Sequence, residues 1–590
     1  MKKIILLAVY INCLSASLQA QGLLQNPMGR HSTSLNGKWQ IIIDPYNAGA
    51  GNWKPIWKDQ HPTGNYDFYE YAFTNSITLD VPGDWNHQMP ELKYYEGTVW
   101  YKKTFLYKPV ANKKVFLYFG AVNYQCDVYI NNQLAGSHEG GFTPFQFEIT
   151  GKLKDTNSVI VRVTDQRKPD NIPAMNFDWW NYGGITRDVS VIETPADYIN
   201  DYSIQLAKNS YDSISGWVQL AGGNMANKIT LQIPGLKINE VITAGADGRA
   251  WFSIPAKPVL WQPGNAKLYK VLIKTATDSM SDMVGFRNIS VSGADILLNG
   301  KPVFLKGINM HEEVPQQQRR AWSAADAKML LTWAKELGCN FVRLTHYSHN
   351  EHTVRLADEM GIMLWEEVPL WQGIQFTNPA ILNKADTMLK EMITRDKNRC
   401  SIIMWSLSNE TSPTPARNRT LAAMAGFVRG IDNTRLITSA TNDAHMEGST
   451  DVLNDSLYSV LDVIGANEYL GWYQPWPGKP GEVTWQNPYN KPLIMSEFGA
   501  ESLYGNHGSA DSNGHWTEER EEQVYKDQIA MFKNIPFLRG TCPWVLADFR
   551  SETRLQPVYQ QGWNRKGLLS DKGLKKKAWY VMNRYYAGMK

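Results

Sequence analysis

Hydrophobic and polar positions along the chain change rhythm twice, and each change predicts a change of architecture. Over residues 21–194 short apolar runs alternate with polar positions: Lys114-Val115-Phe116-Leu117-Tyr118-Phe119, Cys126-Asp127-Val128-Tyr129-Ile130 and Ser158-Val159-Ile160-Val161-Arg162-Val163, with Asn131-Asn132 and Gly140-Gly141 as turns. Successive strand side chains face opposite ways, so this pattern predicts half-buried strands, and their close spacing a sandwich or jelly roll. Residues 195–290 continue as strands, clearest at Trp217-Val218-Gln219-Leu220, Lys228-Ile229-Thr230-Leu231-Gln232-Ile233 and Lys270-Val271-Leu272-Ile273-Lys274. About a hundred residues of this kind predict a small immunoglobulin-like sandwich.

Across 291–590 strands alternate with helices. Ser323 is placed to cap a helix, with Asp326 three residues on, an apolar face at Leu330, Leu331, Ala334 and Leu337, and Gly338 to stop it. The buried strand Asn340-Phe341-Val342-Arg343-Leu344 follows, then a helical stretch to Met360, then Ile362-Met363-Leu364-Trp365. Further strands are read at Ile402–Trp405, Val463–Ala466, Leu493–Met495 and Pro543–Leu546. Repeated βα units over some 300 residues predict a C-terminal (β/α)8 TIM barrel, and no glycine-rich nucleotide fingerprint follows a strand. The expected fold is multidomain, β followed by α/β.

The first twenty residues stand apart. Lys2-Lys3, the apolar stretch opened by Ile4 to Val9 and the small Ala20 before Gln21 predict a cleavable signal peptide, too short to span a membrane. The expected location is periplasmic or secreted. Cys13 brings lipid attachment to mind, but Asn12 stands where that signal wants a small residue. No second apolar stretch is long enough for a membrane span. The other cysteines, Cys126, Cys339, Cys400 and Cys542, sit in or beside apolar runs with no close pair, predicting buried free thiols. A net charge of +3 without a long basic block argues against a nucleic-acid partner. The 22 Trp and 28 Tyr supply flat faces that suit stacking on sugars.

Barrel enzymes work at the C-terminal ends of their strands. Those ends carry Thr345-His346-Tyr347, Glu366-Glu367, Ser408-Asn409-Glu410, Asn467-Glu468-Tyr469, Glu497 and Asp548. Singly, each carboxylate also reads as a helix cap or an arginine partner. Two converging on one mouth fit cleavage of a glycosidic bond, where one carboxyl group protonates the leaving oxygen and the other attacks the anomeric carbon. A serine-hydrolase elbow and a zinc HExxH motif are missing. His346, His349 and His352 recur every third residue, which does not hold one helix face, so no metal is expected.

The domain order, "SLSNE" and the later "IMSEFG" resemble glycoside hydrolase family 2 over essentially the whole chain after residue 20. The resemblance implies Glu410 as acid/base, Glu497 as nucleophile and Asn409 as partner to the hydroxyl beside the reacting carbon. It also implies His346 of "HYSHNE" as a sugar-binding residue, Trp544 of "PWVLADF" as a stacking wall, and no cofactor. Within the family the likeness is to β-glucuronidases. "DWWNYGGITRDV" carries Asp178 over to the outermost hydroxyls, "NEYLGWY" brings Tyr469 and Tyr473, and "NRKG" brings Asn564 and Lys566 to a uronic acid carboxylate. Two features depart from that pattern: Gln560 stands where an arginine is frequent, and the segment after Glu367 is short. The activity this resemblance implies is that of a retaining exo-β-glucuronidase cutting terminal β-D-glucuronides from oligosaccharides; the alternatives are a β-galactosidase or β-galacturonidase of the same family and, in a different class, a non-catalytic carbohydrate-binding protein, and the oligomeric state stays open.

Overall fold

The computed structural model describes residues 22–589 except 52–54, 63, 65, 67–70, 224–226, 443–444 and 512; the expected signal segment 1–20 lies outside the described residues. The N-terminal strands form two antiparallel sheets. One runs in the order Thr78–Val81, Gly37–Asp44, Thr98–Leu106, Thr156–Thr164, Gln125–Ile130, Gln133–Glu139. The other runs Ser32–Ser34, Val189–Pro195, Lys113–Phe119, Phe145–Glu148. Their facing side chains, among them Trp39, Tyr101, Leu117, Phe119, Val128 and Val161, make one apolar core. Asn131 and Asn132 both take positive φ (48° and 67°) and join two strands by a two-residue turn, a conformation asparagine tolerates better than most side chains.

The second sandwich packs a three-stranded sheet (Tyr198–Leu206, Ser213–Ala221, Arg249–Pro255) on a four-stranded one (Ile238–Thr243, Lys228–Ile233, Leu268–Lys274, Ser279–Gly285). Inward residues such as Tyr202, Val218, Leu231 and Val271 are fully buried between them.

The C-terminal region is a closed parallel barrel. Its sheet has nine segments, and the two at the ends, Leu305–Lys306 and Asn309–His311, are halves of one broken strand, leaving eight strands. Leu305 pairs with Gly540 of the last strand and Asn309 with Arg343 of the second, which shuts the ring. The remaining strands are Phe341–Thr345, Met363–Glu367, Ile402–Asn409, Leu436–Thr441, Ile464–Asn467, Leu493–Glu497 and Leu538–Thr541. The helix after the first strand, Ala324–Leu337, carries the expected cap: the Ser323 hydroxyl accepts from the Asp326 N–H, the Asp326 carboxylate accepts from the Ser323 N–H, and Gly338 ends the helix at φ 99°.

The structure corrects the reading in two places. Pro543–Leu546 is not a strand. Pairing ends at Thr541, and the apolar run is a buried exit loop whose Trp544 and Leu546 N–H groups donate to Phe498 and Asn309 carbonyls (2.8 and 2.9 Å). The βα alternation also lapses after the fifth and sixth strands. There the described residues form only short 3-10 turns, Ser456–Ser459 and Pro480–Glu482, and a small sheet of His445–Glu447, Thr450–Val452 and Thr484–Gln486. The four cysteines among the described residues, Cys126, Cys339, Cys400 and Cys542, are buried free thiols, as expected. Among the described residues no helix is long and apolar enough to cross a membrane.

Candidate active site

Arg343 organises the barrel mouth from below. It lies on the second strand, is fully buried, and forks to groups on the third, fourth and seventh strands. Its guanidinium donates to Glu367 (3.0 and 3.1 Å), to Glu497 Oε1 (2.9 Å) and to Asn409 Oδ1 (2.7 Å). A buried guanidinium is stable only with its donors satisfied, so this geometry fixes three acceptors at once. Glu367 also holds the Trp365 indole N–H (2.8 Å) and His346 Nδ1 (2.9 Å). Burial raises the Glu367 carboxyl, but Arg343 and His346 outweigh it and leave the group below its ordinary range.

Glu497 ends the seventh strand, with Oε1 on Arg343 and Oε2 accepting from the Tyr469 hydroxyl (2.9 Å). Glu410 follows the fourth strand, where the backbone turns through φ 50°, a strained setting for a non-glycine residue and one that clusters at functional sites. Its two oxygens accept from Asn467 Nδ2 and Gln372 Nε2, both at 2.9 Å. Asn467 in turn bridges to Asn409 Oδ1 (3.2 Å). Asn409 Nδ2 has no protein partner among the described residues, which leaves one donor beside the two carboxylates.

A second charged corner lies across the cavity. Lys566 Nζ donates to Glu501 (2.8 Å) and to Tyr473 Oη (2.6 Å). Arg554 Nη1 approaches the same two groups at 3.4 and 3.3 Å, and its guanidinium forks onto Asp178, with Nε at 3.0 and 3.1 Å. Asp178 also accepts from Ser551 (2.6 Å), Thr553 (3.2 Å) and Asn564 (3.0 Å), so a loop of the first domain is sewn to the barrel rim. Burial raises the Glu501 carboxyl, yet Lys566, Arg554 and the Gln560 amide (2.9 Å) bring it down to about 2. Tyr473 Oη thus accepts from two cations, which leaves its own proton to donate outward.

A cavity of about 360 Å³ joins the two corners. Of the residues expected from sequence, Asp178, His346, Glu410, Tyr469, Tyr473, Glu497, Trp544 and Lys566 line it. Asn409 and Asn564 stand just behind, held by Arg343 and Asp178. His346 stacks on Trp544 with ring centroids 4.7 Å apart. The three spaced histidines serve separate partners: His346 meets Glu367, His349 a backbone carbonyl, and His352 Asp188. Sequence reasoning missed Arg343, Glu501 and Arg554, and named Glu367 and Asn467 only as polar residues at strand ends, without a role. Of the three missed, Arg343 left a signal, as the charge inside its apolar strand. Arg554 supplies a cation six residues before Gln560, where the family resemblance gave no register for it.

The chain matches two family models. "Glycosyl hydrolases family 2, TIM barrel domain" covers residues 289–588, and "Glycosyl hydrolases family 2, sugar binding domain" covers residues 32–195. A β-glucuronidase of Streptococcus agalactiae serotype V is 28% identical over 553 residues, covering 83% of this chain and 88% of that protein. A solved β-glucuronidase from Ruminococcus gnavus, in complex with C6-substituted uronic isofagomine, superposes with a TM-score of 0.82 at 26% identity, over 97% of this chain and 100% of that one. A solved family 2 β-galacturonidase from Eisenbergiella tayi shares the fold, with a TM-score of 0.79 at 24% identity over 95% and 97% of the two chains. With matching models over both its outer domains, the larger spanning half the sequence, this chain belongs to glycosyl hydrolase family 2.

Proposed function

We propose that the protein is a retaining exo-β-glucuronidase that removes terminal β-D-glucuronate from oligosaccharides. The observation that carries the choice of sugar is the convergence of Lys566 and Arg554 on Tyr473 Oη, which puts two cations and a hydroxyl donor at one edge of a cavity whose other edge holds Glu410 and Glu497. Charged donors of this kind bind a carboxylate far better than a hydroxymethyl group. Similarity to β-glucuronidases supports the same reading.

Glu497 attacks the anomeric carbon as Glu410 gives its proton to the leaving oxygen, and a glycosyl ester forms. Water then attacks the same carbon, Glu410 takes the water's proton, and the ester bond breaks to free the sugar and restore Glu497. Arg343 and Tyr469 hold the nucleophile and receive the carboxylate back. Asn409 Nδ2 is the donor for the hydroxyl beside the reacting carbon. Two inversions return the β-anomer, so proton NMR of a fresh digest should show β-glucuronate before mutarotation. We also place the protein in the periplasm or outside the cell, on the strength of residues 1–20; fractionation of the native host tests this.

The deciding assay compares p-nitrophenyl β-glucuronide, β-galacturonide and β-galactoside for the wild type, Lys566→Ala and Arg554→Ala. The glucuronide should be best, and each variant should lose roughly 100-fold in kcat/KM on it, while the galactoside rate changes little. A wild type that prefers the galactoside, with both variants unaltered, refutes the assignment of the sugar.

A further inference from the structure

Of the tryptophans among the described residues, only Trp251 is exposed, at 67% of its surface. It lies on Arg249–Pro255, the edge strand of the three-stranded sheet in the second sandwich, far along the chain from every residue of the catalytic cavity. The strand's burial alternates, so Trp251 shares the outward face with Arg249 and Ser253 while Ala250, Phe252 and Ile254 turn inward. Across the sheet, Trp251 pairs directly with Trp217, and Arg249 with Gln219. The two indoles stand 6.4 Å apart at 63°.

The charge on this face is unusual. The Arg249 guanidinium sits 4.3 Å above the Trp217 ring and 5.7 Å from that of Trp251. Its side-chain hydrogen bond goes to Gln219 Oε1 (3.0 Å), and it meets no carboxylate in an ion pair among the described residues. Two carboxylates border the face and both are engaged. Asp201 pairs with Lys397 of the barrel (2.6 Å), and Asp247 accepts the backbone N–H of Arg249 (3.0 Å).

We infer that this face is a second carbohydrate-binding surface, separate from the catalytic cavity, that holds an anionic glycan chain. The exposed indole offers an apolar plane for sugar C–H groups, the neighbouring Ser253 hydroxyl offers a hydrogen bond to sugar hydroxyls, and Arg249 offers the charge for a uronate. A second copy of this chain fits poorly. Stable interfaces bury about 800 Å² per partner around an apolar centre, and beyond the two indoles, Pro255 and Ala221 the outward residues of these strands are polar, Ser215, Gln219, Arg249 and Ser253 among them. Binding a polymer here raises the local concentration of chain ends near the enzyme without adding a contact in the active site. The choice of a uronate rests on the proposed glucuronidase reading; the aromatic plane does not.

The test is affinity electrophoresis through gels carrying hyaluronan, in which every second sugar is a glucuronate, or neutral dextran, using the Glu497→Gln chain so that nothing is cleaved. The hyaluronan gel should retard this chain, and Trp251→Ala should weaken the retardation at least 5-fold, Arg249→Gln at least 3-fold, with unchanged Tm. In the catalytically intact protein, Trp251→Ala should leave p-nitrophenyl glucuronide kinetics as they are. Absent or undiminished retardation overturns the surface site, and equal retardation in dextran overturns its anionic part. A change of mass for Trp251→Ala in light scattering assigns the face to a second copy instead. Failure of the glucuronidase reading appears elsewhere, as a wild type inactive on the aryl glucuronide.

Discussion

At Glu497 the carboxyl is pushed up to about 8 by burial, with the charge of Glu410 adding to the push, while Arg343 and Tyr469 pull the other way. An unfolded glutamate titrates near 4.3, so between that pH and 8 the ionised Glu497 that attacks the anomeric carbon is formed at a cost in folding stability. Stability from this group therefore declines as pH rises across that window. Glu497→Gln keeps acceptor and donor positions for Arg343 and Tyr469 but carries no charge. It should abolish turnover and stabilise the fold by on the order of 1 kcal/mol at pH 8, a gain that shrinks toward pH 5. Thermal melts at the two pH values check this, and a variant less stable at pH 8 would contradict it. The sequence exposed Glu410 and Glu497 because their reaction demands that residue type beside recognisable neighbours. It hid Glu501 and Arg554, whose work is to hold other side chains and whose charged partners lie 53 to 376 positions away.

Among the elements, the ones with strong local instructions were legible and the ones set by distant packing were not. The Gln125–Ile130 strand alternates burial residue by residue, and Ala324–Leu337 begins and ends where its cap and Gly338 say. Pro543–Leu546 is as apolar as a strand because it is buried under the mouth, beside the aromatic cluster of Phe142, Trp179 and Phe549. Hydrophobicity reports burial, and a buried loop shares it with a buried strand. The fifth strand, Leu436–Thr441, escaped notice because only its first two residues are large and apolar; the other four are Thr-Ser-Ala-Thr, small residues that a barrel interior accepts. The cap permits a direct test. Ser323→Ala should cost about 1 kcal/mol, and Ser323→Asp should cost almost nothing, since aspartate accepts the same N–H. Urea titrations that give equal losses for the two variants would argue that Ser323 acts through packing.

At the scale of the molecule, one buried acid gathers several of the contacts that fasten the immunoglobulin-like sandwich to the barrel. Asp282, on Ser279–Gly285, accepts from the Tyr202 hydroxyl (2.6 Å), from Arg355 of the helix Glu351–Met360 (3.2 Å) and from Arg399, which precedes the fourth barrel strand. Burial raises the Asp282 carboxyl, but the two guanidinium groups outweigh it and leave it below the ordinary carboxylate range. A lowered folded value gives stability that is present above the unfolded pKa, near 3.9, and is lost as pH falls below it. Asp282→Asn keeps the shape and removes the charge. Arg355 retains Glu351 (2.7 Å), whereas Arg399 is left with Asp358 at 3.4 Å, so the uncompensated charge falls mainly on Arg399. The loss should be about 3 kcal/mol, seen as a Tm lower by several degrees at a fixed scan rate, because a chain of several domains tends to unfold irreversibly. The gap between variant and wild type should narrow below pH 4, as the unfolded wild-type chain takes up a proton that the folded Asp282 still refuses. Turnover of an aryl glycoside at 25 °C should not change, since Asp282 does not line the catalytic cavity. A gap that is the same at pH 3.5 and pH 7 would place the effect in the shape of the side chain, not in the charge that binds the two domains.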